Sequence, residues 1–127
     1  MSRTNYSSGS PWEDIVGYSR AVRIGNTIEV AGTTASDNGK AVFVNDYYGQ
    51  TRFILEKIKK TLEQAGSSME HVVRTRIYVC DISQWEVVAK AHAEFFLHIK
   101  PAATMVEVSR LIDPELLVEI EVTAVVA

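Results

Sequence analysis

A chain of 127 residues, 46% hydrophobic and 23% charged, is long enough for one buried core and too short for two. Its net charge of -3 and dispersed basic residues exclude the clustered Lys and Arg that a nucleic-acid phosphate surface requires. No apolar run approaches the roughly 20 residues that span a bilayer, and the opening MSRTNYSSGSPWED has no apolar signal-peptide centre, so a cytoplasmic protein without membrane contact is expected.

Along the chain, residues 1–16 are rich in Ser, Gly and Asn and are expected to form a loosely held N-terminal arm on a single domain spanning 1–127. Ala21 to Ile24 and Thr27 to Thr33 are β-rich runs joined by Gly25-Asn26, a pair suited to a two-residue hairpin turn. A second turn at Ser36-Asp37-Asn38-Gly39 leads to a short strand over Ala41 to Val44, so the opening third is predicted as a three-stranded meander. From Asp46 to Ala65 the spacing of Ile54, Ile58, Leu62 and Ala65 predicts a helix, closed by Gly66. Lys57, Lys59 and Lys60 lie among Glu56 and Glu63 on its solvated face.

Val72 to Val79 alternates, with Val73, Thr75, Ile77 and Val79 on one face and Arg74, Arg76 and Tyr78 on the other. Ser83 and Glu86 have the spacing of a capping box, and Trp85, Val88, His92, Phe95 and Ile99 make an apolar stripe for a helix over Gln84 to Ile99, halted by Pro101. Alternating runs over Thr104 to Leu111 and Leu117 to Val126 close the chain. In the last, Val118, Ile120, Val122 and Ala124 face the helices, while Glu119, Glu121, Thr123 and Val125 face away. The order β-β-β-α-β-α-β-β predicts an α+β domain, a single mixed β-sheet with two helices packed on one face. Its other face is expected to carry Arg74, Arg76, Tyr78, Met105, Glu107, Ser109, Glu119, Glu121, Thr123 and Val125. This mixed character suits subunit association better than a plain wet surface.

Motifs that carry chemistry are sparse. There is no Gly-rich phosphate loop, no closely spaced His, Cys or carboxylate ligand set and no GxSxG elbow. The lone Cys80 has no partner thiol and reads as a small residue at a strand end. His71, His92 and His98 are scattered and read as structural, and helix capping accounts for Ser83.

The blocks VGYSRAVRIGNTIEVAGT, QTRFILEKIKKTLEQAGSSMEHVVRTRIYVCDI, AEFF, KPAATMVEVSRL and VEIEVTAV, taken together and in this order, resemble the RidA/YjgF family of reactive-intermediate deaminases, once labelled endoribonuclease L-PSP. The resemblance runs from about Gly17 to the C-terminus. It implies a chorismate-mutase-like fold and a homotrimer with a small-molecule pocket at each subunit interface. It also implies hydrolysis of enamine and imine acids to 2-keto acids and ammonia, with no cofactor and no metal. By the same resemblance Tyr18 lines the pocket and Glu119, the first acid of VEIE, orients the attacking water. Ala31, Gly32 and Thr33 form the segment that is SGQ-like in the family. Ala103 stands where active members carry the arginine that grips the substrate carboxylate, Met105 where they carry a cysteine, Ser83 an asparagine and Ala31 a serine.

Strand parity puts Ala103 on the same side as Met105 and Glu107, opposite Val106 and Val108, and on the expected sheet face this aims it into the pocket. Loss of a desolvated arginine partner costs about 2 to 5 kcal/mol, roughly 30-fold to several-thousand-fold in binding. Two readings remain open: a diverged hydrolase of C=N bonds acting on neutral or amine-bearing substrates, and a binding protein without turnover. Arg20, Arg23, Arg74 and Arg76 are the arginines placed by sequence to replace the missing one. Ribonuclease activity is disfavoured by the acidic balance.

Overall fold

Short apolar alternations and two long apolar stripes account for the elements seen in the computed structural model, which describes residues 1–127. In chain order they are β1 (Arg3–Tyr6), α1 (Pro11–Val16), β2 (Ala21–Ile24), β3 (Thr27–Thr34), the two-residue strands β4 (Ser36–Asp37) and β5 (Lys40–Ala41), α2 (Tyr47–Gln64), β6 (Val72–Val79), α3 (Trp85–Phe96), β7 (Ala102–Glu107) and β8 (Val118–Val125). Six strands form one sheet in the order β1-β2-β3-β8-β6-β7, and β4 and β5 form a separate ribbon. Only β6 and β7 run parallel; every other pair is antiparallel. This is the α+β architecture expected from the sequence.

One face of the sheet is sealed by α2 and α3. Ile54, Ile58 and Leu62 recur at helical spacing, and with Leu55 from α2 and Val88 and Phe96 from α3 they pack in a single core. The sheet contributes Ile28, Val30, Ile77, Val79, Val118, Ile120 and Val122. Full burial of each such side chain contributes about 1.5 to 3 kcal/mol. α2 starts where Asp46 Oδ1 accepts a hydrogen bond from the Gly49 N–H at 2.8 Å. It ends where Gly66 takes φ 83°, and the Ser67 N–H donates back to Leu62 O at 2.8 Å.

Several elements differ from expectation for identifiable reasons. Residues 3–6 pair with β2 as the sheet's edge strand, and residues 11–16 form a short helix capped by Ser10, so the sheet begins before the elements read from the sequence. The run Ala41 to Val44 is a strand only to Ala41, because Phe43 and Asn45 take φ of 52° and 62°. A register shift between Val72 and Arg74 in the β6–β8 pairing puts Val72 inside and leaves Val73 47% exposed, reversing the predicted face of Val73. The capping box at Ser83 does not form. Ile82–Gln84 is a 3₁₀ turn whose cap is Asp81, accepting from the Ser83 N–H at 3.0 Å and the Ser83 hydroxyl at 2.7 Å. Trp85 leaves the predicted stripe and is 52% exposed. α3 stops at Phe96 rather than Ile99, and Lys100, before Pro101, takes φ 55°.

The largest correction concerns β7. Its parallel register pairs Thr75 with Ala103, Ile77 with Met105 and Val79 with Glu107. Paired residues point to the same side, and Thr75, Ile77 and Val79 are buried under the helices. Met105 therefore packs against the core, and Glu107 accepts from the Ile82 N–H at 3.0 Å. Ala103, Met105 and Glu107 lie on the helix side of the edge strand, not on the open face with Glu119.

Candidate functional site

β3 is interrupted where the family-like segment falls. Val30 pairs with Val122 and Thr33 with Ile120, so Ala31 and Gly32 both stand opposite Glu121 in a β-bulge. The bulge brings the Gly32 backbone under the Glu119 side chain: a Cβ on residue 32 would run into Glu119 Oε2. Glycine is needed here for close approach, and its absent side chain is what lets the carboxylate settle against the sheet.

The residue before β2 completes this corner. Arg20 Nη2 donates to Gly32 O at 2.6 Å, and Arg20 O accepts from the Ala31 N–H at 3.0 Å. The guanidinium carbon lies 5.9 Å from the centroid of the Tyr18 ring. Tyr18 is placed by the end of α1, where Gly17 turns at φ 89° and the Tyr18 N–H donates to Glu13 O at 3.0 Å. Glu13 is itself buried, accepting from the Ser8 N–H at 3.0 Å and the Ser8 hydroxyl at 2.5 Å.

A cavity of about 370 Å³ opens on this face. Gly32, Glu119, Glu121, Tyr78 and Arg110 supply its polar lining, with Val108 and Leu111 as apolar wall. Burial pushes the Glu119 carboxyl above its ordinary range, the charge of Arg20 opposes that rise and the charge of Glu121 adds to it. The Tyr78 hydroxyl donates to Glu121 Oε1, which with burial raises the Tyr78 phenol. A half-buried carboxylate with a raised pKa beside an apolar wall is suited to taking a proton from water and returning it. A larger hollow of about 630 Å³ lies over the end of α3, between Glu70, Phe95 and His98. Its other carboxylate, Glu94, is already engaged by Tyr48 and Arg52, which leaves that hollow without a free convergent pair.

The site residues taken from the sequence fall into two groups. Ala31, Gly32 and Glu119 meet at the bulge, and Tyr18 is joined to it only through Arg20; Thr33 adjoins them but turns inward, its hydroxyl donating to Ala31 O at 2.9 Å. Ser83, Ala103 and Met105 belong to the helix side near β7, and within one chain they do not reach Glu119. Of the candidate replacement arginines, Arg23 is tied to Gly25 O at 2.9 Å and Ala65 O at 2.7 Å, and Arg74 to the Thr104 hydroxyl at 2.8 Å. Arg76 is exposed, and Arg20 stands nearest Glu119 in its electrostatic effect. Sequence reasoning missed Arg110 and Glu13. Position 110 lies inside the run read as alternating, where parity with Val106 and Val108 put it on the helix side, whereas the strand ends at Glu107 and Arg110 lines the cavity; Glu13 lies in the segment read as an arm. No group of three His, Cys, Asp or Glu side chains is arranged to hold a metal ion.

Residues 10–126 match the family described as Endoribonuclease L-PSP. An uncharacterised protein of Streptomyces coelicolor is 36% identical over 117 residues, which cover 92% of this chain and 87% of that one. A RutC family protein of Pyrococcus abyssi is 38% identical over 108 residues, 84% of each chain. Among solved structures, Rv2704 of Mycobacterium tuberculosis, a member of the YjgF/YER057c/UK114 family, superposes with a TM-score of 0.90 at 54% identity over 98% of this chain and 100% of that one. YyfA of Yersinia pestis, a protein of unknown function of the Rid family, gives 0.85 at 32% identity over 98% and 100%.

Proposed function

The chain belongs to the Endoribonuclease L-PSP family, the YjgF/RidA group, and on that premise we propose that it is a deaminase-type hydrolase of C=N bonds in small metabolites, diverged from 2-imino acids. The observation that carries the reading is Glu119 seated on Gly32 in a 370 Å³ cavity, with burial pushing its carboxyl up. Glu119 takes a proton from a water whose oxygen attacks the imine carbon, and the C=N π pair moves to nitrogen. The proton then passes to nitrogen to give a carbinolamine; Glu119 next takes the hydroxyl proton and delivers it to the same nitrogen as the C–N bond breaks, and a carbonyl compound and ammonia leave.

Substrate choice follows from the charges. Ala103 provides no cationic anchor, and in the cavity lining two carboxylates, Glu119 and Glu121, outnumber the one cation, Arg110. This favours a neutral or amine-bearing imine over an imino acid. The division of the site residues between two sides of the sheet supports a homotrimer in which the β7 edge of one copy faces the Glu119 cavity of the next. A cytoplasmic setting, with neither nucleic acid nor membrane as partner, goes with this reading. The chain's part in it calls on no metal and no organic cofactor.

The test is ammonia release from imines generated in situ, one set neutral and one bearing a carboxylate. Glu119→Gln is expected to lose at least about a hundredfold in rate on the neutral set while keeping its assembly state. Equal rates in the two proteins would end the proposal. A second reading, metabolite binding without turnover, draws on the departures at Ala31, Ser83, Ala103 and Met105. It predicts a raised melting point with a member of a panel of amines, amides and keto acids, and no ammonia from any imine.

A further inference from the structure

Glu119 and Arg20 flank Gly32 without touching. The carboxylate lies over the α-carbon and the guanidinium holds the carbonyl, while the chain's ion pairs are Arg52 with Glu56 and Arg52 with Glu94. Arg20 has little freedom to move toward Glu119 or toward a ligand. Its Nη2 is bonded to the bulge, the Tyr18 ring lies beside it, its Nε is buried without a partner, and Glu13, only 6% exposed, adds an anchored opposite charge. A cation fixed in a half-buried corner acts through its field, which solvent there screens poorly.

We infer that Arg20 is a positioning residue for Glu119: it fixes the bulge beneath the carboxylate and supplies the positive charge that keeps the carboxylate a base. The inference rests on the reading of Glu119 as the group that activates water. The groups facing Glu119 are Arg20 ahead of β2, Tyr78 from β6, Glu121 from β8 and Arg110 beyond β7, with Tyr18 set against Arg20 behind them. Burial and Glu121 both favour the protonated acid, and Arg20 is the group that counters them. Without it, Glu119 titrates higher and less of it is a base near neutrality. Through Glu13 of α1, and through the Tyr6 carbonyl of β1 that accepts from the Arg20 N–H at 2.8 Å, the N-terminal elements then have a part in the site's chemistry.

The measurement is the ¹³C carboxyl shift of Glu119 followed through a pH titration in the wild-type chain, Arg20→Gln and Arg20→Lys, with Glu119→Gln to assign the signal. Arg20→Gln is expected to move the midpoint up by about one pH unit, a loss of base that approaches about tenfold at pH well below the wild-type midpoint. Arg20→Lys, which keeps the charge, is expected to return most of the displacement. An unmoved midpoint in Arg20→Gln, or equal displacement in both variants, would overturn the inference. Should Arg20→Gln fail to fold, the wild-type protein decides: the Arg20 Nε–H signal is expected to follow the Glu119 titration and to lose that response in Glu119→Gln. An Arg20 signal alike in the two proteins would refute the assignment. None of these readings needs a substrate, so a failure here is separate from a failure of the hydrolytic reading, which ammonia release reports.

Discussion

At Glu119, burial and charge oppose one another, and burial prevails: the carboxyl titrates above its ordinary value of 4.5 despite Arg20. A carboxyl whose folded pKa exceeds its unfolded one binds its proton more tightly in the folded state. Its favourable contribution is complete below the unfolded value and is lost as pH rises through the folded one. Glu119→Gln has no such titration. Its melting point relative to wild type is therefore expected to be constant below about pH 4 and to rise in the variant's favour above that, through the interval up to the raised pKa. Melting curves across that range check it; a gap independent of pH would show that Glu119 is solvated. The same site shows what a sequence can and cannot give at this scale. The face of Glu119 was legible, because VEIEVTAV alternates strictly and its apolar members fill the core. Its neighbours were not. Arg20 and Gly32 meet Glu119 through a bulge, and a bulge leaves no mark in a periodicity.

Placement of that strand depends on α2. Gln50 is fully buried: its Nε2 donates to Glu115 O at 2.8 Å and Phe43 O at 3.3 Å, and its Oε1 accepts from the Leu117 N–H at 2.8 Å. One side chain thus holds the segment that enters β8, two residues ahead of Glu119. Replacing Gln50 by leucine leaves the half-buried Leu117 N–H and the Glu115 carbonyl without their partner, at up to about 1 to 3 kcal/mol each. Gln50→Leu is expected to lower the urea midpoint by an amount equal to at least about 2 kcal/mol, with the slope of the transition unchanged. An unaltered midpoint would mean that water replaces the amide. At the scale of elements, α2, α3 and the long strands were legible because their apolar spacing is regular. The faces of β6 and β7 were partly misread for two separate reasons. A register shift beside Val72 inverted Val73, and parity within β7 says which residues share a side but not which side that is, since a one-residue change of register exchanges the two.

For the whole molecule, this exchange decides how a pocket can be built. Glu119 opens on one face of a central strand, whereas Ala103 and Met105 lie on the helix side of the outermost strand, with Ser83 in the turn beside them. No motion short of unfolding brings the two groups together within one chain, so a pocket that uses both must draw them from different copies. With a chain mass of 14.1 kDa, three copies give about 42 kDa. The proposed sharing can be tested by complementation. Ala103→Arg is expected to gain hydrolysis of 2-imino acids by at least about 30-fold, from restoration of an arginine to carboxylate contact. The double variant carrying Ala103→Arg and Glu119→Gln should be inactive as purified. Co-expressed with the wild-type chain and isolated as mixed assemblies, it should recover activity, because its arginine then meets a wild-type Glu119 across the interface. If each pocket belonged to a single chain, mixing would restore nothing: one partner would always lack the arginine and the other the carboxylate. Activity in the mixture alone, from two chains each inactive on imino acids, would locate the anchor and the base on different subunits.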